Sequence, residues 1–201
     1  ADIEDVANTF RKDISITWFS GNNVNQSKRE LATLERNQSA ILDEILYSPK
    51  ARMVLSGGAG TGKTLLAVKT AEHFVDLKKK VLFLCFNKLL SSVLSEKFIG
   101  TSVTVNTIHK FMMDFANIKG VSGPADEFFN ETLIDLFEDE VCSSVLKEQF
   151  DQFDFIIFDE AQDFLNKRTL RPFFDLLKGG AQNGAWLMCL DTGVQSQVYN
   201  R

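Results

Sequence analysis

The chain has 201 residues and a formal net charge of −5, room for one good-sized domain with a small subdomain. Apolar residues make up 44% and charged residues 24%, the proportions of a soluble globule with a full core. The acidic balance excludes nucleic-acid binding by bulk charge alone, while leaving room for a local basic track.

In chain order, residues 1–30 read as an N-terminal arm or linker without a core of its own. "ISITWF" is a short strand candidate and "SGNNVNQSK" a loop. From residue 31 the pattern sharpens. "ELATLERNQSAILDEIL" carries Leu34, Ile41, Leu42 and Ile45 at helical spacing. "RMVLSG" is a strand, followed by a helix over "KTLLAVKTAEHFVDL". "KVLFLCF" is a strand, with Asn87 placed to cap a helix over "KLLSSVLSEKF". "SVTVN" is a strand, with Thr107 placed to cap "IHKFMMDFA". Residues 117–150 break the rhythm with a Gly/Pro loop and two acidic amphipathic helices, read as a small helical insertion. "FDFIIFDE" is a strand, a helix is expected at about 167–178, and "AWLMCLD" is the last strand. Strands apolar on both faces and alternating with helices predict an α/β fold, a parallel sheet flanked by helices. Ligands should then sit at the carboxyl ends of the strands.

The 18 Phe residues fall mostly in these periodic runs and read as core filler. Cys85, Cys142 and Cys189 have no paired spacing, and Cys85 and Cys189 lie in apolar strand-like runs. They read as free thiols in a reducing compartment. No apolar run approaches the ~20 residues needed to span a bilayer, and "ADIEDVANTF" does not read as a signal peptide. A cytoplasmic protein with no membrane partner is expected.

"SGGAGTGKT" holds the chemistry. Gly57, Gly62, Lys63 and Thr64 fit G-x-x-x-x-G-K-[ST], between a strand and a helix. Such a loop, Gly57, Gly58, Ala59, Gly60, Thr61 and Gly62, turns its backbone N–H groups on phosphate oxygens at a helix N-terminus. Lys63 supplies a point charge for the β- and γ-phosphates, and Thr64 a hydroxyl for Mg²⁺. The pattern defines a P-loop NTPase that binds a nucleoside triphosphate. By itself it does not separate a kinase, a motor, a switch or a helicase.

"FDFIIFDEAQDF" narrows the choice. Asp159 follows the apolar run directly and should stand at the end of a buried strand, where it can hold Mg²⁺ together with Thr64. Glu160 is one residue further, suited to orient or deprotonate a water that attacks the γ-phosphate. The pair favours hydrolysis over transfer to a small substrate.

"DEAQDF" resembles motif II of superfamily 1, UvrD-like helicases, and the other motifs fall in that group's order. Leu34 and Gln38 in "LERNQSAIL" resemble the Q motif, whose glutamine reads adenine. "LFLCFNK" and "VNTIHKF" resemble the motif Ia and Thr-x-His elements. The resemblance thereby implies single-stranded nucleic-acid contacts, DNA favoured, at Asn87, Lys88, Thr107 and His109, with Lys110 a further phosphate contact. "LMCLDTGVQSQVYN" resembles motif III, which points to Gln195 as the γ-phosphate sensor, Gln197 being the alternative. Its Tyr199 would stack on a base or pack. In wording the motifs are also similar to bacterial helicases fused behind a nuclease-related domain. Taken together, the resemblance covers residues 31–201 and implies the first RecA-like motor domain, 1A. ATP and Mg²⁺ are then the cofactors, and Glu160, Lys63 and Gln195 the catalytic residues. Motif III is spaced differently here, and the insertion is short for a UvrD-like 1B subdomain. Motifs IV to VI, with the second RecA-like domain that supplies arginines to the γ-phosphate, are absent from this chain. That second domain would be a partner within the same polypeptide, and residues 1–201 alone are expected to turn over ATP slowly. The rival reading is a nucleotide-dependent switch or binding module that unwinds nothing.

Overall fold

In this computed structural model, residues 15–16, 39–45, 47, 51–121, 123–147, 150–163 and 167–191 are described. Among them the strands are β1 (Ser15–Ile16), β2 (Arg52–Gly57), β3 (Val81–Cys85), β4 (Val103–Thr107), β5 (Phe155–Phe158) and β6 (Ala185–Asp191). The longer helices are α1 (residues 39–45), α2 (Lys63–Asp76), α3 (Lys88–Lys97), α4 (Ile108–Phe115), α5 (Leu133–Leu146) and α6 (Lys167–Asp175). The strands form one sheet in the order β1-β2-β6-β5-β3-β4. Every pairing in it is parallel. This is the RecA-like P-loop α/β architecture expected from the alternating runs.

Two apolar layers hold it together. Successive side chains of a strand point to opposite faces, so both layers draw on the same strands. On one face Met53, Leu55, Phe83, Cys85, Ile157, Leu187 and Cys189 meet Leu66, Ala67 and Phe74 of α2, Leu94 of α3 and Ile45 of α1. On the other, Val54, Leu84, Ile156, Phe158, Trp186 and Met188 meet Phe111 of α4, Phe137 of α5 and Phe173 of α6. The strand-internal positions of β3 and β5 are buried without exception, as a parallel sheet covered on both sides requires. Most of the phenylalanines do fill the core. Phe111, Phe137 and Phe173 form one ring cluster, with centroids 4.8 to 6.1 Å apart. Cys85 and Cys189 are buried free thiols, while Cys142 is exposed.

Between α4 and β5 the chain is helical from Ala125 to Leu146. A short turn (Ala125–Glu127) and a π-helical turn (Phe128–Thr132) lead directly into α5. Where two separate helices are predicted, the structure has one continuous stretch, because no breaker falls between Ala125 and Leu146. Its Phe128, Leu133 and Phe137 enter the same apolar layer as Ile156 and Phe158. α6 ends at Asp175, shorter than the predicted helix, and tolerates Pro172 inside it.

The strand order places all functional loops along one edge. The loop after β2, the loop after β5 and the end of β6 stand side by side. The ends of β3 and β4 continue the same edge beyond β5.

Candidate functional site

The loop after β2 folds as its glycines demand. Gly60 (φ 77) and Gly62 (φ 87) both take left-handed backbone, which an L side chain adopts only at a cost. A Cβ at Gly58 or Gly60 would meet nothing within 4 Å, so the hollow of the loop is left open by the protein. Gly62 ends the loop as the N-cap of α2 and offers no side-chain cap. The first amides of a helix have no intrahelical partner and carry the positive end of its dipole. Here they face the hollow with no acidic residue in the first turn to satisfy them. Lys63 Nζ donates to the carbonyls of Gly57 (2.8 Å) and Gly58 (2.9 Å), which folds the ammonium over the loop. The Thr61 hydroxyl donates to Gly58 O at 2.9 Å and braces the turn.

Asp159 stands one residue beyond β5 and is 1% exposed. Its Oδ2 accepts from the Thr64 hydroxyl at 2.8 Å. Its Oδ1 is buried with no hydrogen bond among the described residues. Burial, more than any other cause, holds this carboxyl above the ordinary carboxylate range, and the Thr64 bond and the Lys63 charge oppose it. An orphaned carboxylate oxygen beside a hydroxyl, at the mouth of an anion cradle, fits a divalent cation. Mg²⁺ characteristically takes one or two protein oxygens and fills the remainder with water and phosphate. Among the described residues no three His, Cys, Asp or Glu side chains cluster to hold a metal by themselves. Asp159, Thr64 and phosphate oxygens are therefore the donor set available here.

Glu160 has φ 54. Left-handed backbone at a glutamate is uncommon, and such strain gathers where the surroundings force it. The cleft lined by Ala59, Gly60, Gly62, Lys63, Thr64, Asp159, Glu160 and Asp191 holds about 300 Å³. Gln162 follows in a 3₁₀ turn (Ala161–Asp163) and accepts from the Asp191 amide at 3.0 Å. That bond ties the acidic loop to the end of β6. Burial pushes Cys85 up to about 11 and Cys189 upward as well, and a protonated thiol is a poor nucleophile.

Beyond β5 a second, larger cleft of about 1170 Å³ opens on the same edge, and Glu160 lines it too. Asn87, Lys88, Thr107, His109 and Lys110 line it together. Asn87 has a structural task in addition: its Oδ1 caps α3, accepting from Leu89 N (2.8 Å) and Leu90 N (3.2 Å). The expected cap by Thr107 does not form. Thr107 occupies the N-cap position of α4 but makes no side-chain bond to it, so its hydroxyl is not consumed by the helix. Lys88 makes no ion pair among the described residues, whereas Lys110 is held by Asp114 at 2.6 Å. His109 packs its ring 4.9 Å from that of Phe129. Burial, and then the Lys88 charge, hold its imidazole below the ordinary histidine value.

Gln38, Gln195, Gln197 and Tyr199 lie outside the described residues. Phe86 and Phe129 of the larger cleft have no role in the sequence reading, nor has Gln162, which ties the acidic loop to Asp191. Gln162 sits inside the DEAQDF motif and was legible there as a polar group at a strand end. Phe86 continues an apolar run, and only the end of β3 at Cys85 leaves it 48% exposed.

A glycine loop feeding a helix N-terminus, with a lysine over it and a hydroxyl–carboxylate pair at the next strand ends, defines a P-loop nucleotide-binding and hydrolysing domain. The family model of an AAA domain matches residues 38–181, and the chain belongs to that family. P-loop domains of the AAA type generally bind ATP with Mg²⁺. No curated protein matches the chain. Among the described residues no helix is long and apolar enough to cross a membrane.

Proposed function

We propose that this chain is the ATP-hydrolysing motor domain of a superfamily 1 helicase, coupling hydrolysis to movement on single-stranded nucleic acid, DNA in the first instance. One observation carries the reading: Glu160 lines both the phosphate cleft and the larger cleft beside it. A residue in that position senses nucleotide on one side and a bound strand on the other. The family match supports it, since this kind of P-loop domain is found in UvrD/Rep-like helicases.

In this reading the open loop amides and Lys63 bind the triphosphate, and Lys63 leaves the Gly57 and Gly58 carbonyls for phosphate oxygens. Asp159 and Thr64 would hold Mg²⁺, which when bound neutralises charge on the phosphates. Glu160 orients the attacking water and accepts its proton. Gln162 keeps the acidic loop in register with Asp191. The family resemblance adds Gln38 as the adenine reader and Gln195 as the γ-phosphate sensor. It also adds a second RecA-like domain supplying positive charge. Asn87, Lys88, Thr107 and His109 receive the strand.

The test is ATP turnover by the intact protein with and without single-stranded DNA, for wild type and Glu160→Gln. Wild-type turnover rises with the strand. The variant binds ATP·Mg²⁺ normally by calorimetry but turns over on the order of 10²-fold more slowly. Turnover indifferent to the strand would favour a nucleotide switch, and normal turnover in Glu160→Gln would move the base elsewhere.

A further inference from the structure

We propose that Phe129 is a nucleobase-stacking residue of the larger cleft, delivered there by the π-turn; this rests on the reading that the cleft receives single-stranded nucleic acid. In an α-helix, residues four apart share a face. Phe129 would then extend the row Leu133, Phe137 and Val141, each 0% exposed. The turn over Phe128–Thr132 is π-helical instead. Its i→i+5 bonding sets Phe128, not Phe129, over Leu133. Phe128 is accordingly 2% exposed and takes the core position. Phe129 is displaced to the flank, half-buried, where its ring meets Phe128 edge-on at 5.2 Å and His109 at 4.9 Å. Turns of this kind are rare and frequent at functional sites. Here the turn lets one helix serve the core and the cleft at once.

The cleft has the two chemistries that a single strand needs. Phe129, His109 and Phe86 bring three aromatic side chains to its lining, and stacking on aromatic rings is how single strands are held without sequence preference. Lys88, with no ion pair among the described residues, and the amino end of α4, which no side chain caps, offer positive charge for phosphates. Burial, and then the Lys88 charge, lower the pKa of the His109 imidazole, which favours its use as a ring over its use as a cation.

The experiment compares fluorescence anisotropy of the intact protein on oligo-dT and on an abasic strand of the same length. Wild type binds oligo-dT more tightly than the abasic strand. Phe129→Ala loses roughly five- to hundredfold on oligo-dT, keeps its abasic affinity and keeps its salt dependence, while Phe129→Trp retains the preference for bases. Lys88→Ala weakens both strands and lowers the salt slope by about one. If Lys88→Ala is impaired but Phe129→Ala binds oligo-dT like wild type, the stacking role falls and the strand cleft stands. Equal weakening of both strands by Phe129→Ala, with a lowered melting temperature, reduces Phe129 to a packing residue and overturns the proposal. If wild type binds neither strand, the strand reading itself falls.

Discussion

Asp159 is 1% exposed, and of its two oxygens Oδ2 has the Thr64 hydroxyl while Oδ1 has no bond among the described residues. A buried charge with an unmet oxygen is destabilising unless a ligand completes it. The neutral Asp159→Asn amide should therefore raise the stability of the nucleotide-free protein, by about 1–2 kcal/mol. It should also abolish the Mg²⁺-dependent part of nucleotide affinity. Urea unfolding and calorimetry with and without Mg²⁺ check the two halves. A less stable Asn variant would show that the carboxylate is already satisfied. The identities of Asp159 and Glu160 were legible because "FIIF" ends abruptly in two acids. The φ of 54 at Glu160 and the unmet oxygen were not legible. Both belong to the tertiary setting of the loop after β5, whose strand neighbours β6 and β3 come from distant segments.

Asn87 and Thr107 occupy equivalent places, each the residue before a helix that starts at a strand end, yet only Asn87 bonds the helix it precedes. Losing an N-cap bond costs about 1 kcal/mol. Asn87→Ala should therefore lower unfolding stability by about that amount, whereas Thr107→Ala should leave it within about 0.5 kcal/mol and act on strand affinity alone. Equal losses from thermal unfolding of both variants would mean that Thr107 is structural. Cap residues are readable as types in a sequence, but whether the bond forms depends on the rotamer and backbone angle that tertiary packing leaves. The π-turn escaped sequence reading for a related reason. "FFNETLIDLF" presents apolar residues both four and five before Leu133, so its pattern is compatible with either winding. Packing of Phe128 into the core selects one. Strands such as "VLFLC" were legible because burial on both faces leaves no polar position in them.

At the scale of the molecule, the class of fold followed from alternation, but the strand order did not, since nothing local tells β6 that it belongs between β2 and β5. That placement has a consequence in time. β2 is complete at residue 57, and the strand that will cover its edge begins at residue 185. At a synthesis rate of about 5–20 residues per second, the interval is roughly 6–25 s. Throughout it β2 lacks its neighbour in the middle of the sheet, β5 lacks one from residue 158 onward, and unpaired apolar edges invite association with other chains. The two tryptophans, Trp18 and Trp186, make the interval measurable. In a Trp18→Phe variant the remaining indole, 0% exposed in β6, should report burial only in the slowest refolding phase, after helical circular dichroism has recovered. Burial of Trp186 within the first phase would show β6 entering early. A late centre means that the newly made chain depends on dilution or on chaperones until its last strand arrives.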